Sequence, residues 1–304
     1  MKSEQTIGGG VIAAAVTPRR AHEHSIDLAA SLESIDFLCE RGVDGIALLG
    51  STGEFVHFMP EDRARMLDFV VKRSRAPVLA NVSHSTLDGA LWLAQEALES
   101  GVAGLLLAPP YYFRYSQDAL RRFYLEFAEA LGARARVYLY NIPQFTNGIA
   151  IETAQALLET GLFAGVKDSS GDWDYFTGLL EVRCRTPFTL FIGSERLLAR
   201  ARPAGADGII SGIAAALPEL MVKLERALSG GHTAAAEKLD VRVQEFLAWL
   251  TDIPAPVLIK EAAKLRKIKA GAPAIPLSQA EAQRLEQFRA WFQEWLPVVL
   301  KECK

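Results

Sequence analysis

The stretch Phe163-Ala164-Gly165-Val166-Lys167-Asp168-Ser169-Ser170 runs apolar, meets an amine and passes into a polar loop. An apolar run without alternation is what a parallel strand covered on both faces requires. The lysine at its end is out of place there. Burial disfavours the charged form of an amine. A neutral amine is a nucleophile that can form a Schiff base with a carbonyl. Lys167 can equally close the strand by pairing with Asp168 or another acid, since structural ion pairs also perturb charged groups.

Outward from this stretch the pattern repeats. Apolar or β-branched runs occur at Val11–Thr17, Gly45–Gly50, Pro77–Val82, Gly104–Ala108, Arg136–Asn141, Phe163–Lys167, Thr189–Gly193 and Gly208–Ser211. Between them Ile26–Glu40, Glu61–Arg73, Leu87–Glu99, Ala119–Leu131 and Thr153–Glu159 carry apolar residues at helical spacing. Gly42, Gly101, Gly132 and Gly161 stand where helices would end. Eight strand–helix units over roughly 230 residues predict a (β/α)8 TIM barrel of the α/β class. A doubly wound sheet is the other reading, but no GxGxxG turn follows Val11–Pro18. Beyond Ala216 the signal is helical: Leu217–Trp249 with a break at Gly230-Gly231, a breaker at residues 251–256, then Val257–Lys269 and Ser278–Leu296. Ser278 and Glu281 have the spacing of a capping box. The expected division is a catalytic barrel over residues 1–225 and a helical region packed on it over 226–304.

The chain has 304 residues, 50% of them hydrophobic, with net charge −3 and both signs interspersed. No basic face for nucleic acid and no polybasic membrane patch is visible. A small polar or acidic metabolite is the expected partner. Cys39, Cys184 and Cys303 are too scattered for a disulfide framework, which points to a reducing, cytoplasmic setting. The first apolar segment is too short and wrongly flanked for a signal peptide, and none is long enough to span a bilayer.

In such a barrel the active site forms at the C-terminal ends of the strands. Those ends read Gly50-Ser51-Thr52-Gly53-Glu54, Pro109-Pro110-Tyr111-Tyr112, Tyr140-Asn141-Ile142-Pro143, Lys167-Asp168-Ser169-Ser170, Gly193-Ser194-Glu195 and Ser211-Gly212. Two glycines around Ser51-Thr52 allow a nest of backbone N–H groups for a carboxylate, although such residues also favour an ordinary polar turn. Tyr140 can shuttle protons at the mouth or simply pack in the core. Adjacent tyrosines in an extended loop point opposite ways, so one of Tyr111 and Tyr112 packs while the other reaches a pocket or a neighbouring subunit. His22, His24, His57, His84 and His232 lack metal-ligand spacing and read as surface or rim residues. Asp168, Asp172 and Asp174 leave a magnesium site open, with Asp172 better placed as a helix cap.

Together, Gly50-Ser51-Thr52-Gly53-Glu54, Tyr140-Asn141-Ile142-Pro143 and Gly165-Val166-Lys167-Asp168 resemble the dihydrodipicolinate synthase/N-acetylneuraminate lyase family of class I aldolases over nearly the whole chain. The resemblance implies a homotetrameric barrel with a C-terminal helical domain. It implies that Lys167 forms the imine with pyruvate or another 2-oxo acid, without metal or dissociable cofactor. It makes Tyr140 the proton relay and Ser51 and Thr52 the pair that binds the 2-oxo carboxylate. Tyr112 becomes the tyrosine lent by a neighbouring subunit, and Gly193 and Ile210 line the pocket.

Departures bear on the second substrate. Dihydrodipicolinate synthases place an arginine two residues after the proline of the tyrosine motif, whereas here Pro143 is followed by Gln144 and Phe145. Phe145 cannot make that charge-assisted contact. Ser85 and Gly89 stand where lysine-inhibited members carry asparagine and glutamate, which argues against feedback by lysine. The expected activity is a carbon–carbon lyase acting on a 2-keto-3-deoxy sugar acid or similar 4-hydroxy-2-oxo acid. Gln144, Phe145, Thr146, Asn147, Ser169, Ser170 and Glu195 would shape the aldehyde pocket. Dihydrodipicolinate synthase, a dehydratase using the same imine, and a noncatalytic 2-oxo acid-binding barrel are the alternatives.

Overall fold

The computed structural model describes residues 7–20, 23, 25–132 and 135–304, and in it eight parallel strands close into a barrel in chain order. The strands are β1 (Gly10–Ala14), β2 (Gly45–Leu48), β3 (Val78–Asn81), β4 (Gly104–Leu107), β5 (Val137–Asn141), β6 (Gly165–Asp168), β7 (Thr189–Ile192) and β8 (Gly208–Ser211). β8 returns to β1, with Ile12 opposite Ile210. Each expected apolar run contains a strand. The largest difference is at β1, which leaves the ladder at Ala14 although the apolar run continues to Val16.

Helices α1 (Leu28–Glu40), α2 (Pro60–Arg73), α3 (Leu87–Ser100), α4 (Gln117–Leu131), α5 (Ile151–Leu158), α6 (Trp173–Arg183), α7 (Glu195–Ala204) and α8 (Pro218–Ser229) follow β1 to β8 in turn. Asp27, Thr86, Ser116 and Asp172 cap α1, α3, α4 and α6 through side-chain oxygens, as short polar residues do at helix starts. The barrel interior is filled by Ile12, Leu79, Leu106, Tyr138, Tyr140, Phe191 and Ile210, whereas Val137 and Leu139 of β5 face the helices. That alternation is the two-residue period of a strand.

Three more helices follow: α9 (Thr233–Leu247), α10 (Ala255–Leu265) and α11 (Gln279–Glu302). α8 runs through residue 226, the boundary expected for the two regions. The stretch 251–256 is less of a breaker than its prolines imply, because α10 begins at Ala255 with Pro256 in its first turn. Proline is tolerated there, where its missing N–H would have no helical partner. The capping box at Ser278 and Glu281 is formed, and α11 runs past Leu296 to Glu302. Phe288, Trp291, Phe292 and Trp295 of α11 gather against Phe246 and Trp249, fixing the last helix to α9. Among the described residues no helix is long and apolar enough to cross a membrane.

Candidate active site

Strand register brings the key residues together. Lys167 pairs with Tyr140 of β5 on one side and Phe191 of β7 on the other. Residues in register on neighbouring strands share a face. The Lys167 side chain is 4% exposed and its Nζ lies over the Tyr140 ring, 3.9 Å from the centroid. Tyr140 is buried too, and its Oη is 3.1 Å from Ser51 Oγ, at the end of β2. Amine, phenol and hydroxyl thus converge from three separate strands on one mouth.

Lys167 does not pair with Asp168. The next residue of a strand faces the opposite way, and the Asp168 carboxylate accepts from Asn141 Nδ2 at 2.9 Å, Ser170 N at 3.1 Å and Ser170 Oγ at 2.8 Å. Burial pushes the Asp168 carboxyl up, opposed by the hydrogen bonds from Ser170 and Asn141. Asn141 Oδ1 also accepts from Ile149 N. This network ties the loop after β5 to the end of β6.

Gly193 sits against the amine for a steric reason. A Cβ there would lie 1.9 Å from Ser169 Oγ and 3.1 Å from Lys167 Cε. Only glycine leaves room for both side chains. Ile210 belongs to the interior layer beside Tyr140.

The loop carrying Ser51 and Thr52 is shaped differently from the expected glycine nest. Gly50 and Gly53 have ordinary φ, and the left-handed residues are the flanking Leu49 (φ 59°) and Glu54 (φ 52°). Non-glycine residues in that region are uncommon and carry strain. Surrounding contacts hold both ends. Asn81 Nδ2 donates to Leu49 O at 2.7 Å, and the Glu54 carboxylate contacts the Lys260 ammonium. Gly53 serves close approach instead, since a Cβ there would be 3.0 Å from Leu49 Cα and 3.1 Å from Ala15 O. Thr52 Oγ1 lies against Gly212 at the end of β8.

Tyr112, Glu195 and Phe145 lie away from the Lys167 amine within this chain, and for Tyr112 the expectation is a neighbouring subunit's site. Tyr112 is 89% exposed, has φ 80° and stacks edge-on with Phe113, while Tyr111 packs edge-on against Phe55. Glu195 opens α7, where Oε1 accepts from Ser211 Oγ at 2.7 Å and Ile213 N at 3.2 Å, so it braces the turn after β8. Phe145 stands exposed on the rim. His22 and His24 lie outside the described residues. His57 Nδ1 faces Glu54 at 3.6 Å, and His84 joins Thr86. Among the described residues no group of three or more His, Cys, Asp or Glu side chains is arranged to hold a metal ion.

Two buried cations escaped the sequence reading. Lys260 of α10 reaches Glu54 beside Thr52, and burial lowers its pKa against the attraction of Glu54. Its signal, a charge among Leu258, Ile259, Ala262 and Ala263, is the same oddity that marks Lys167. Arg63 of α2 donates to the carbonyls of Asn81 and Ser83, bracing the end of β3, and burial lowers its pKa to about 10.

A buried lysine at the end of the sixth barrel strand thus stands beside a tyrosine of the fifth, itself bonded to a hydroxyl that follows the second, at the strand ends where enzymes of the (β/α)8 barrel class carry their active sites. The comparisons place the chain more narrowly. The family model for the dihydrodipicolinate synthetase family matches residues 8–294, and the chain belongs to that family of class I aldolases, which are carbon–carbon lyases. It is 29% identical to a 4-hydroxy-tetrahydrodipicolinate synthase of Oceanobacillus iheyensis, covering 93% of this chain and 95% of the relative. It is 31% identical to an uncharacterized DapA-like lyase of Chloroflexus aurantiacus, covering 91% and 94%. Among solved structures, the E. coli prophage protein YagE, determined in complex with pyruvate, superposes with a TM-score of 0.87 at 25% identity, covering 95% and 99%. The Ruminococcus gnavus sialic acid aldolase shares the fold, with a TM-score of 0.86 at 22% identity, covering 98% and 99%.

Proposed function

We propose that this protein is a Schiff-base lyase or aldolase that joins or cleaves pyruvate, or another 2-oxo acid, and an aldehyde. The observation that carries this reading is the buried Lys167 amine 3.9 Å from the face of Tyr140, whose hydroxyl is in turn 3.1 Å from Ser51. The Lys167 amine adds to the ketone carbon and water leaves. Loss of a proton from C3 of the imine gives an enamine, and its C3 attacks the aldehyde carbon. The aldehyde oxygen takes up a proton through Tyr140, Ser51 holding the phenol in place. Water then releases a 4-hydroxy-2-oxo acid and regenerates the amine. Ser51 and Thr52 hold the 2-oxo carboxylate, which orients the ketone. The 2-keto-3-deoxy sugar acids expected from the sequence fall within this product class. The covalent chemistry resides on Lys167, with no dissociable cofactor.

The exposed Tyr112, held at φ 80° beside Phe113, supports a homotetramer in which this tyrosine enters a neighbouring protomer's site. The unpaired cysteines suit a cytoplasmic setting. The division at residue 226 between a catalytic barrel and a helical region belongs to the same proposal.

The test is borohydride reduction with pyruvate followed by intact and peptide mass. The expected result is one pyruvyl adduct per chain on Lys167. No adduct at saturating pyruvate overturns the reading. The names of several relatives favour dihydrodipicolinate synthase as a second reading. Phe145 offers no cation for the carboxylate of aspartate semialdehyde, so turnover of that aldehyde at ordinary efficiency would establish the second reading instead.

A further inference from the structure

A cleft of ≈ 700 Å³ opens between the loop after β2 and the C-terminal helices. Ser51 and Thr52 are part of its lining, together with Val56, Phe145, Pro254, Val257, Ile275 and Leu277. Ser51, in its lining, bonds to Tyr140, whose ring faces Lys167, so the cleft adjoins the group that carries the amine. Val56, Phe145 and Ile275 present more than half of their surface to solvent. Such a concentration of exposed apolar side chains marks a binding surface.

Apart from the Ser51 and Thr52 hydroxyls, assigned above to the 2-oxo carboxylate, the two carboxylates lining the cleft are engaged. Glu54 is held by Lys260 and faces His57, and Glu281 accepts from Ser278 N at 2.7 Å in the capping box of α11. Five of the loop side chains expected to bind hydroxyls, Gln144, Thr146, Asn147, Ser170 and Glu195, turn to the backbone or to other side chains. Gln144 Nε2 donates to Ser169 O and Ser170 O. Thr146 Oγ1 donates to Ile142 O, and Asn147 Nδ2 to Pro110 O and Phe113 O. Ser170 Oγ donates to Asp168, and Glu195 holds the turn after β8. A polyhydroxylated chain in this cleft would give up hydrogen bonds to water and meet methyl groups and ring edges. Burying a polar group without a partner is unfavourable, whereas burying hydrocarbon is not.

We propose that the electrophile is an aldehyde with an apolar body, aromatic or branched aliphatic, that lies in this cleft with its carbonyl turned toward Lys167. This inference rests on the Schiff-base reading above. The new bond joins C3 of the 2-oxo acid to the aldehyde carbon. The carbonyl oxygen becomes the C4 hydroxyl by taking up one proton, and no oxidant or reductant is involved. The product is a 4-hydroxy-2-oxo acid bearing a hydrophobic group at C4.

The experiment offers the full chain saturating pyruvate with benzaldehyde, 3-methylbutanal or D-glyceraldehyde and reads kcat/KM for each. The two apolar aldehydes are expected to exceed D-glyceraldehyde by at least about tenfold, the scale on which hydrophobic pockets discriminate. Ile275→Asp is expected to lower that ratio by at least about tenfold, on the same scale. Equal or better use of D-glyceraldehyde, no turnover of either apolar aldehyde, or a ratio that Ile275→Asp does not move overturns the inference. Borohydride trapping with pyruvate alone, on the same preparation, separates the two failures. An adduct with the wrong aldehyde preference overturns only the apolar electrophile, whereas the absence of an adduct overturns the Schiff-base reading as well.

Discussion

Lys260 of α10 and Glu54 of the loop after β2 form an ion pair buried on both sides. It joins the C-terminal helices to the loop that carries Ser51 and Thr52, and it holds Glu54 in a left-handed conformation. Removing one partner of a buried pair leaves the other charge without compensation, a loss of about 3–5 kcal/mol. Lys260→Met is therefore expected to lower the denaturation midpoint and to raise KM for pyruvate, because the loop hydroxyls lose their support. Adding Glu54→Gln to Lys260→Met removes the uncompensated charge and should recover much of the stability. Urea denaturation and pyruvate titration of the three proteins check this.

In the proposed mechanism Tyr140 and Ser51 serve proton movement rather than carbon chemistry. Tyr140→Phe is expected to lower kcat by about 10²–10⁴-fold, the range for a positioned acid–base group. Lys167 remains in place in that variant, so pyruvate adducts should still form on prolonged borohydride treatment. Ser51→Ala should show the same pattern to a smaller degree. An unchanged kcat in Tyr140→Phe would remove the phenol from the mechanism. Steady-state kinetics with mass-detected trapping gives both readouts.

Gly193→Ala tests the packing around the amine. The added methyl collides with Ser169 Oγ and presses on Lys167 Cε. Overpacking of this kind costs about 1–3 kcal/mol. The variant should unfold at lower denaturant and form the pyruvate adduct more slowly. A crystal structure of the variant should show Ser169 displaced.

Asp168 supplies a pH dependence. Its folded-state pKa is raised by burial, despite donors from Ser170 and Asn141. A carboxyl raised in the folded state favours folding when protonated. That contribution is fully present below the ordinary carboxylate value and is lost as pH rises through the raised one. Asp168→Asn lacks this titration. The stability of the variant relative to the parent should therefore increase with pH across the acid range. Urea denaturation at a series of pH values checks the sign.

Much of this arrangement was legible in the chain. Eight apolar runs without alternation implied strands covered on both faces, and helical spacing between them implied the barrel. Lys167 stood out because a charge closing an apolar run has no ordinary place in a core. Tyr140 and Ser51 followed from reading the other strand ends. The left-handed Leu49 and Glu54 were not legible, because their backbone angles are imposed by Asn81 and Lys260, contacts distant in sequence. Nor was the engagement of Gln144, Thr146, Asn147 and Glu195 with neighbouring groups, since a polar residue in a loop reads the same whether its hydrogen bonds are free or satisfied.

By itself, then, the sequence determined the barrel, its strand ends and the amine, because hydrophobic periodicity and strand alternation are local properties of the chain. The tertiary structure decided which of those ends meet. Strand register sets Lys167 beside Tyr140, and barrel closure brings Tyr140 to Ser51. It also decided the character of the cleft, because residues 254–257 and 274–277 of the C-terminal region close over a loop some two hundred residues earlier. Only folding sets that apolar surface against the mouth, since the chain's hydrophobic pattern says which side chains avoid water but not which of them face one another.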